Sequence, residues 1–463
     1  MKVQRNLVCL CLSFALVSCV KEMPSSSGTS VPEGSSEESF SSNSLDSSLL
    51  PKWEEHDCFS YSYSSLGKDV MPIGGWCSPT GSYITDEQYA ILKQSGLNSI
   101  YGLYETYNNN KADVDKSLSY SKNNGVVYLA RDNSLGVLLD EPELLQTRMD
   151  YYDAYPNCQG LFVADEPGAD QFSSLGQIVR TMRQYYPSKL VYTNAFPIYA
   201  SANQLEGVSS GGTMDYDTYL EKYMTEIQPD ILSYDYYPFD GAAPKVTNAY
   251  FTQLYKSATV ANRHKVPFLP FIQACEWGGS TRVPTEGELD WSVSTSLVYG
   301  AKGLQYFCYF QPSEFDASFG GCFINKSGQK TAIYDYGKKM NEQVARMDEV
   351  LMGSTLLAKM AFGSTPCPFD AADQASFVAS FRELQSVSTS DDLLIGCFDN
   401  GGKSSFLVVN NSTRESGAAN LSFTLPIKAN VYNKESTITA DGKSLTLSLG
   451  PGECSLVEIT NYR

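Results

Sequence analysis

The sequence predicts an α/β protein in which a (β/α)8 barrel is followed by a small antiparallel β-sandwich. Between about residues 68 and 352, short apolar runs alternate eight times with amphipathic segments, as parallel strands joined by helical crossovers do. Eight strand–helix units in roughly 285 residues match the size of such a barrel. Beyond residue 352 the runs become short and alternating, with turn signals such as Asn400-Gly-Gly between them, which is typical of antiparallel strands.

The predicted elements follow one another in regular order. The barrel strands are predicted at 70–76, 97–105, 126–132, 160–165, 190–194, 230–237, 268–275 and 303–309. The helices are predicted from a cap near Thr85, then at 112–123, 141–152, 175–182, 217–227, 249–262, 287–299 and 340–351. Residues 353–385 are predicted to be a connector, and 386–463 the β-sandwich, with strands near 393–398, 405–410, 421–425 and 454–459.

An open doubly wound sheet is the competing architecture. Such a sheet would usually carry a Gly-rich dinucleotide or phosphate loop after its first strand. The sequence contains neither signature, so the barrel is favoured over residues 52–352.

The N-terminus is predicted to be a lipoprotein signal peptide over residues 1–19. Its apolar run, 7–17, is too short to span a bilayer. Leu16-Val-Ser-Cys19 matches the bacterial lipobox, in which Cys19 is acylated; a plain secretory signal or a short transmembrane helix is the alternative. The Ser-rich segment 20–51 is predicted to be a flexible tether. We therefore expect a protein of the bacterial envelope that is held to the membrane by its lipid alone.

Composition and charge narrow the classes of partner and the kinds of catalytic group that this protein can have. A net charge of −18 argues against nucleic acid or anionic lipid as a partner, while 31 tyrosines suit the apolar faces of sugar rings. The cysteines form no CxxC motif or Cys/His cluster in the sequence, and His56 and His264 are the only histidines. We therefore expect no metal site, no cofactor and no histidine-based triad, so that carboxylates, tyrosines or amides must do the chemistry. The sequence leaves the oligomeric state open.

Two of the predicted strands lead into a glutamate at the point where the chain then breaks with Pro or Gly. Glu166 follows the fourth strand, and Glu276 follows the seventh. In a (β/α)8 barrel, catalytic groups lie on the loops after the carboxyl ends of the strands. The two glutamates are therefore a candidate catalytic pair, although a single acidic residue at such a place can also be a helix cap or a salt-bridge partner.

Further polar and aromatic residues stand at the other predicted strand ends, among them Glu105, Asp132 and Gln311. Carboxylates and amides can bond sugar hydroxyls, and aromatic rings can pack on sugar C–H faces. The residues predicted to contact substrate are Trp76, Asp165, Asn194, Asp235, Tyr237, Trp277 and Tyr309. The two tryptophans could equally belong to the core.

At these positions the sequence resembles the clan A glycoside hydrolases, retaining (β/α)8 enzymes that include many β-galactosidases. The resemblance covers about residues 68–352 and includes 323–341, which is similar to the entry of the last barrel helix in some of those enzymes. It implies that Glu166 is the acid/base, that Glu276 is the nucleophile and that the substrate is an oligo- or polysaccharide. Clan members usually have Asn before the acid/base glutamate, where this chain has Asp165.

The Asp165–Glu166 pair leaves a second mechanism open. Adjacent Asp and Glu also resemble the substrate-assisted N-acetylhexosaminidases, in which Asp holds a 2-acetamido group and Glu is the acid. A non-catalytic glycan-binding lipoprotein is the alternative from another class. A carboxyl separation of about 5 Å would indicate retention, and about 6.5–9.5 Å would indicate inversion.

Overall fold

The computed structural model describes residues 66–241, 249–311, 319–363 and 368–462. The predicted signal peptide 1–19 with Cys19, the predicted tether 20–51 and the start of the predicted barrel domain lie outside the described residues. Within the described ranges, no helix combines the length and the apolar character needed to cross a bilayer.

Eight parallel strands form the predicted barrel. They are β1 (Ile73–Gly75), β2 (Ser99–Gly102), β3 (Val127–Arg131), β4 (Cys158–Asp165), β5 (Leu190–Asn194), β6 (Leu232–Tyr234), β7 (Phe268–Gln273) and β9 (Leu304–Phe307). The strand order is β5-β4-β3-β2-β1-β9-β7-β6, and a parallel bridge between Ala195 and Tyr234 joins the two edges. The barrel is therefore closed, and each of the eight predicted strands is present.

A short two-stranded sheet stands on the carboxyl rim of the barrel. β8 (Cys275–Glu276) follows β7 directly and pairs antiparallel with β10 (Gly320–Gly321). This small sheet carries one of the two candidate glutamates.

Helices connect the strands as the periodicity predicts. They are α1 (Asp86–Gln94), α2 (Tyr107–Asn123), α3 (Leu135–Leu138), α4 (Pro142–Asp153), α5 (Phe172–Tyr185), α6 (Ala202–Glu206), α7 (Tyr216–Lys222), α8 (Tyr250–Arg263), α9 (Glu286–Val298), α10 (Ala332–Gly353) and α11 (Ala371–Ala375). The Thr85 hydroxyl accepts the Gln88 amide at the start of α1. Thr285 and Glu288 form a capping box at the start of α9. Local capping chemistry thus sets several helix starts that the sequence pattern indicated.

The barrel interior is filled by aromatic rings and a hydrogen-bonded glutamine. Tyr192 Oη donates to Gln305 Oε1 at 2.7 Å, and Tyr101 Oη donates to the same oxygen. Gln305 Nε2 donates to the Leu269 carbonyl oxygen at 2.7 Å. The buried amide is satisfied in this way, which lets a polar group stand in the core without a large desolvation penalty.

The C-terminal strands form one antiparallel sheet that curls around its own core. The strands are β11 (Thr355–Phe362), β12 (Leu384–Ser388), β13 (Leu393–Asn400), β14 (Lys403–Asn410), β15 (Gly417–Tyr432), β16 (Thr437–Leu449) and β17 (Cys454–Tyr462). Their order is β11-β13-β14-β17-β15-β12, with β16 paired to β15. An irregularity in β15 between Ser422 and Ile427 bends the sheet, so that the predicted antiparallel β domain closes as a single curled layer.

The segment 353–385, predicted to be a connector, contributes to this sheet. Residues 355–362 form β11, which pairs with β13 along its length. Most of the β11 side chains are part-exposed, because the strand lies at the sheet edge. Met360 is its one fully buried residue, and Ala358 and Phe362 pack part-buried against the same core. Such an edge strand lacks the strict apolar alternation by which strands are recognised.

Polar contacts join the curled sheet to helices α9 and α10 of the barrel. Trp291 Nε1 donates to Asn411 Oδ1 at 2.8 Å. Lys434, whose side chain is 10% exposed, makes ion pairs of 2.6 Å with Asp290 and 2.9 Å with Glu286. A Cβ on Gly452 would lie 1.9 Å from the Gly287 carbonyl oxygen, so this contact requires glycine. At this contact the backbone of the curled sheet therefore packs directly against the backbone of the barrel helix α9.

Candidate active site

The carboxyl ends of β4, β5 and β6 carry a row of three hydrogen-bonded side chains. Asp165 closes β4, Asn194 closes β5, and Asp235 follows β6. Asn194 Nδ2 lies 3.2 Å from Asp165 Oδ1 and 3.2 Å from Asp235 Oδ1, while Ser233 Oγ donates to Asn194 Oδ1 at 2.8 Å. One amide nitrogen therefore bridges the two carboxylates. The two oxygens that it contacts can be no further apart than the sum of these two 3.2 Å distances.

The two carboxyl groups of this row are shifted towards neutrality. Burial raises the pKa of Asp165 to about 6, against the opposing effects of the Asn194 hydrogen bond and the Arg131 charge. Burial, followed by the charge of Asp165, raises the pKa of Asp235 to about 8, and hydrogen bonds from Asn194 and Tyr237 oppose that rise. Both carboxyl groups therefore hold a proton to higher pH than an exposed aspartate does.

Glu166 lies one residue beyond β4 in a left-handed backbone conformation. Its φ is +46°, and its amide donates to the Asn194 carbonyl oxygen at 2.8 Å. A left-handed conformation costs a non-glycine residue about 1–2 kcal/mol, which this hydrogen bond and the chain that follows must offset. Tyr219 Oη donates to the Pro167 carbonyl oxygen at 2.9 Å, which ties down the turn after the glutamate.

Glu276 lies in the small rim sheet beside β10. It pairs with Gly320, and a Cβ on that glycine would stand 2.6 Å from Glu276 Oε1. The glutamate is part-exposed. Its carboxylate therefore rests against a backbone that has no side chain at this point.

Aromatic rings join the row of carboxylates to the rim sheet. Tyr237 is part-exposed, and its ring centroid lies 4.8 Å from that of Trp277 and 5.3 Å from that of Phe307. Trp277 is 4% exposed and stacks on Phe319 with centroids 6.1 Å apart. Tyr237 and Phe319 are therefore the part-exposed rings of this group, and buried Trp277 contacts both.

Two residues predicted to contact substrate belong to the barrel core. Trp76 is 2% exposed and packs against the rings of Tyr101, Phe162 and Phe271 at 5.0–5.2 Å. Tyr309 is fully buried and packs against Phe323. We correct their assignment, because both rings point into packed protein and neither offers a face to a ligand.

Two of the acidic strand ends have structural roles. The Glu105 carboxylate is buried and accepts the Gly81 amide at 3.3 Å. Asp132 is buried in an ion pair with Arg148 and accepts the Tyr152 hydroxyl at 2.9 Å. The structure therefore concentrates the remaining carboxylates at β4, β6 and β8. The sequence did not indicate Arg131, at the end of β3, as a residue near the site, because a basic residue inside an apolar run does not by itself predict a function.

The structure also brings cysteines together that the sequence keeps far apart. The sulfur atoms of Cys275, Cys308 and Cys322 lie within 4.8 Å of one another, and all three residues are buried. The sequence analysis did not predict this proximity. The cluster was missed because its members come from β8, the end of β9 and the end of β10, which share no sequence motif.

Comparison with known proteins supports the fold. No protein-family model and no curated protein matches the sequence. Among solved structures, a β-galactosidase from Bacillus circulans sp. alkalophilus matches with a TM-score of 0.58 and 8% identity, over 85% of this chain and 99% of that one. A catalytic mutant of a GH42 β-galactosidase from G. stearothermophilus matches with a TM-score of 0.55 and 8% identity, over 86% and 99%.

Two further solved structures extend this comparison. An α-L-arabinofuranosidase from Thermotoga maritima, in an arabinose complex, matches with a TM-score of 0.50 and 11% identity, over 85% of this chain and 96% of that one. The chain spans 62% of the length of a β-galactosidase from the psychrophilic Marinomonas ef1. At these identities the likeness extends to the fold, and this chain has the barrel and β-domain architecture found among clan A glycoside hydrolases.

Proposed function

We propose that this protein is a glycoside hydrolase that cleaves O-glycosidic bonds of an oligo- or polysaccharide by a two-glutamate retaining mechanism. Glu166 protonates the leaving oxygen, and Glu276 attacks the anomeric carbon to form a covalent glycosyl-enzyme. Glu166 then accepts a proton from the water that hydrolyses this intermediate. No metal or cofactor takes part in these steps.

The observation that carries the proposal is the position of the two glutamates. Glu166 stands one residue beyond β4 and Glu276 stands three residues beyond β7, both on the carboxyl rim of a closed barrel. Part-exposed Asp165, Asp235 and Tyr237 lie on the same rim and offer the carboxylates and the ring that a sugar requires. The fold similarity to glycoside hydrolases is consistent with this chemistry.

A substrate-assisted N-acetylhexosaminidase is the second candidate, favoured by the bridged row of carboxylates. Asp165 precedes the proton donor directly and hydrogen-bonds to Asn194, which also binds Asp235. A carboxylate held in this way can orient the acetamido group of a substrate. In that mechanism Glu166 keeps its role and Glu276 contacts substrate without bonding to it.

The decisive experiment is a screen of aryl glycosides and polysaccharides, with β-galactosides, arabinofuranosides and 2-acetamido sugars as the first probes. Glu166→Gln should lower kcat/KM by about 10²–10⁴ on substrates with poor leaving groups. Glu342→Gln, which alters an exposed carboxylate on α10, is the matched control and should leave turnover unchanged. Wild-type turnover in Glu166→Gln would exclude both mechanisms.

The two mechanisms differ in the response of Glu276. Under the retaining mechanism, Glu276→Gly loses turnover, and added azide restores cleavage by giving a glycosyl azide of inverted configuration. Under the substrate-assisted mechanism, Asp165→Asn loses turnover on 2-acetamido sugars, while Glu276→Gly still hydrolyses them. A protein that binds glycans but hydrolyses none of the probes would be the non-catalytic lipoprotein.

We also propose that the enzyme is anchored to the bacterial envelope through lipid on Cys19. The lipobox Leu16-Val-Ser-Cys19 and the Ser-rich segment after it support this proposal. Cys19→Ala should abolish labelling by radioactive palmitate and release the protein from the membrane fraction. Membrane retention of an unlabelled variant would contradict the anchor.

A further inference from the structure

Four cysteines converge beneath the rim sheet. Cys308 Sγ and Cys322 Sγ are 3.2 Å apart, the Cys275 sulfur lies within 4.8 Å of both, and Cys77 interacts with Cys308. All four residues are at most 1% exposed. Such a group of cysteines can bind a soft metal ion through its thiolates, or two of its members can form a disulfide.

The surroundings of the sulfur atoms distinguish these two possibilities. Each sulfur of the three-cysteine group faces a backbone carbonyl oxygen: Cys275 that of Phe307 at 3.3 Å, Cys308 that of Phe310 at 3.6 Å, and Cys322 that of Gly320 at 4.0 Å. A carbonyl oxygen repels a thiolate but accommodates a thiol or a neutral disulfide. Burial also raises the pKa of the Cys275 thiol well above its usual range.

The charge around the cluster also favours a disulfide over a metal ion bound by thiolates. Glu276 lies close enough for its charge to act on Cys322, so metal binding would gather several thiolates beside a carboxylate. The cluster also lies in an apolar core with Trp277, Phe307 and Phe319. A disulfide carries no charge and needs no such compensation.

We propose that Cys308 and Cys322 form a disulfide in the mature protein, which links the end of β9 to the end of β10. The two thiols lose two protons and two electrons, and a disulfide oxidant such as oxidised glutathione takes up both electrons to become two thiols. The bond forms while the chain folds, because the folded cluster is closed to solvent. Cys275 and Cys77 remain thiols.

The link constrains the backbone that covers Glu276. Cys322 follows Gly321 directly, and Gly320 and Gly321 pair with Glu276 and Cys275. The two cysteines are 14 positions apart, so the bond closes a short loop. A loop of this size removes enough unfolded-state entropy to raise the Tm of a chain of about 400 residues by roughly 4 °C.

The test is peptide mapping by mass spectrometry of the full chain refolded with oxidised glutathione and alkylated without reduction. A single linked peptide pair containing Cys308 and Cys322 is expected, lost in Cys322→Ser and unchanged in Cys397→Ser, which alters a buried cysteine of the curled sheet. Complete alkylation of all thiols would overturn the proposal. A link from Cys275 to either partner, or stoichiometric zinc or copper that protects the thiols from alkylation, would overturn it equally.

Hydrogen exchange provides a second measurement that needs no variant. The amides of Gly320 and Gly321 should exchange more slowly in the oxidised than in the reduced protein, while those of β14 should exchange equally in both. Equal exchange of the two glycine amides in the oxidised and reduced states would contradict the constraint. Neither measurement depends on the proposed hydrolase activity.

Discussion

Replacing Asp235 by asparagine should make the protein more resistant to unfolding at alkaline pH. The substitution keeps the size of the side chain and leaves an oxygen that can still accept the Asn194 amide. It removes the carboxyl group whose pKa is raised most in the row at the site. The perturbation therefore acts on charge and very little on packing.

The magnitude follows from the raised pKa of Asp235. The folded-state pKa of about 8 lies above the usual 3.8, so the folded protein keeps a proton that the unfolded chain releases. Wild-type stability therefore falls as pH rises from about 4 to about 8, and the variant lacks this loss. Between pH 6 and pH 8 the gap in unfolding free energy should widen by about 2.3 kcal/mol, or about 3 °C in Tm.

The assay is thermal unfolding of wild type and Asp235→Asn at intervals from pH 5 to pH 9, at constant ionic strength. The Tm difference should grow up to about pH 8 and then become constant. Asp140→Asn, which alters an exposed carboxylate, is the control and should follow the wild-type curve. Parallel curves for Asp235→Asn and wild type from pH 6 to pH 8 would refute the reasoning.

Three other substitutions test neighbouring contacts. Gly320→Ala places a Cβ 2.6 Å from Glu276 Oε1, so kcat on any substrate found should fall by about 100-fold, with little change in Tm. Lys434→Met leaves the buried Asp290 carboxylate without its cation and should lower the unfolding free energy by about 3–5 kcal/mol in denaturant titrations. Tyr219→Phe leaves a buried carbonyl after Glu166 unsatisfied, which should cost about 1–3 kcal/mol and lower kcat in the same preparation.

Each of these substitutions has a matched control. Gly136→Ala introduces a Cβ with one ordinary contact of 3.6 Å, Lys338→Met alters an exposed helix position, and Tyr185→Phe alters an exposed ring. Full activity in Gly320→Ala would mean that the rim sheet moves aside freely. Wild-type denaturation midpoints in the other two variants would show that the contacts contribute nothing to stability.

The barrel could be predicted because its strands are buried on both faces. Runs such as 160–165 and 268–275 are almost continuously apolar, which few other structures produce in a repeating pattern. The stripe of Met340, Val344 and Met347 on α10 is buried as its helical spacing predicted. In both cases the apolar sequence pattern is present because the residues that form it are buried.

Side-chain direction at the strand ends could not be predicted in the same way. Trp76, Tyr237 and Tyr309 all follow barrel strands, yet one is part-exposed and two are buried. Whether such a ring faces the core or the rim depends on strand tilt and register across the barrel, which are set by all eight strands together. The cysteine cluster has the same origin, since the pairing of β7 with β9 brings Cys275 next to Cys308.

The contact between α9, α10 and the curled sheet has a consequence for how this chain can be recombined. Trp291 needs Asn411, Lys434 needs the acidic face of α9, and Gln343 donates to the Cys454 carbonyl oxygen at 2.8 Å. A β domain taken from another protein would leave these buried donors and charges unmatched unless all its contact positions were exchanged at once. The barrel and the sheet should therefore be inherited, expressed and engineered as one unit, and a library that shuffles β domains should yield few folded proteins.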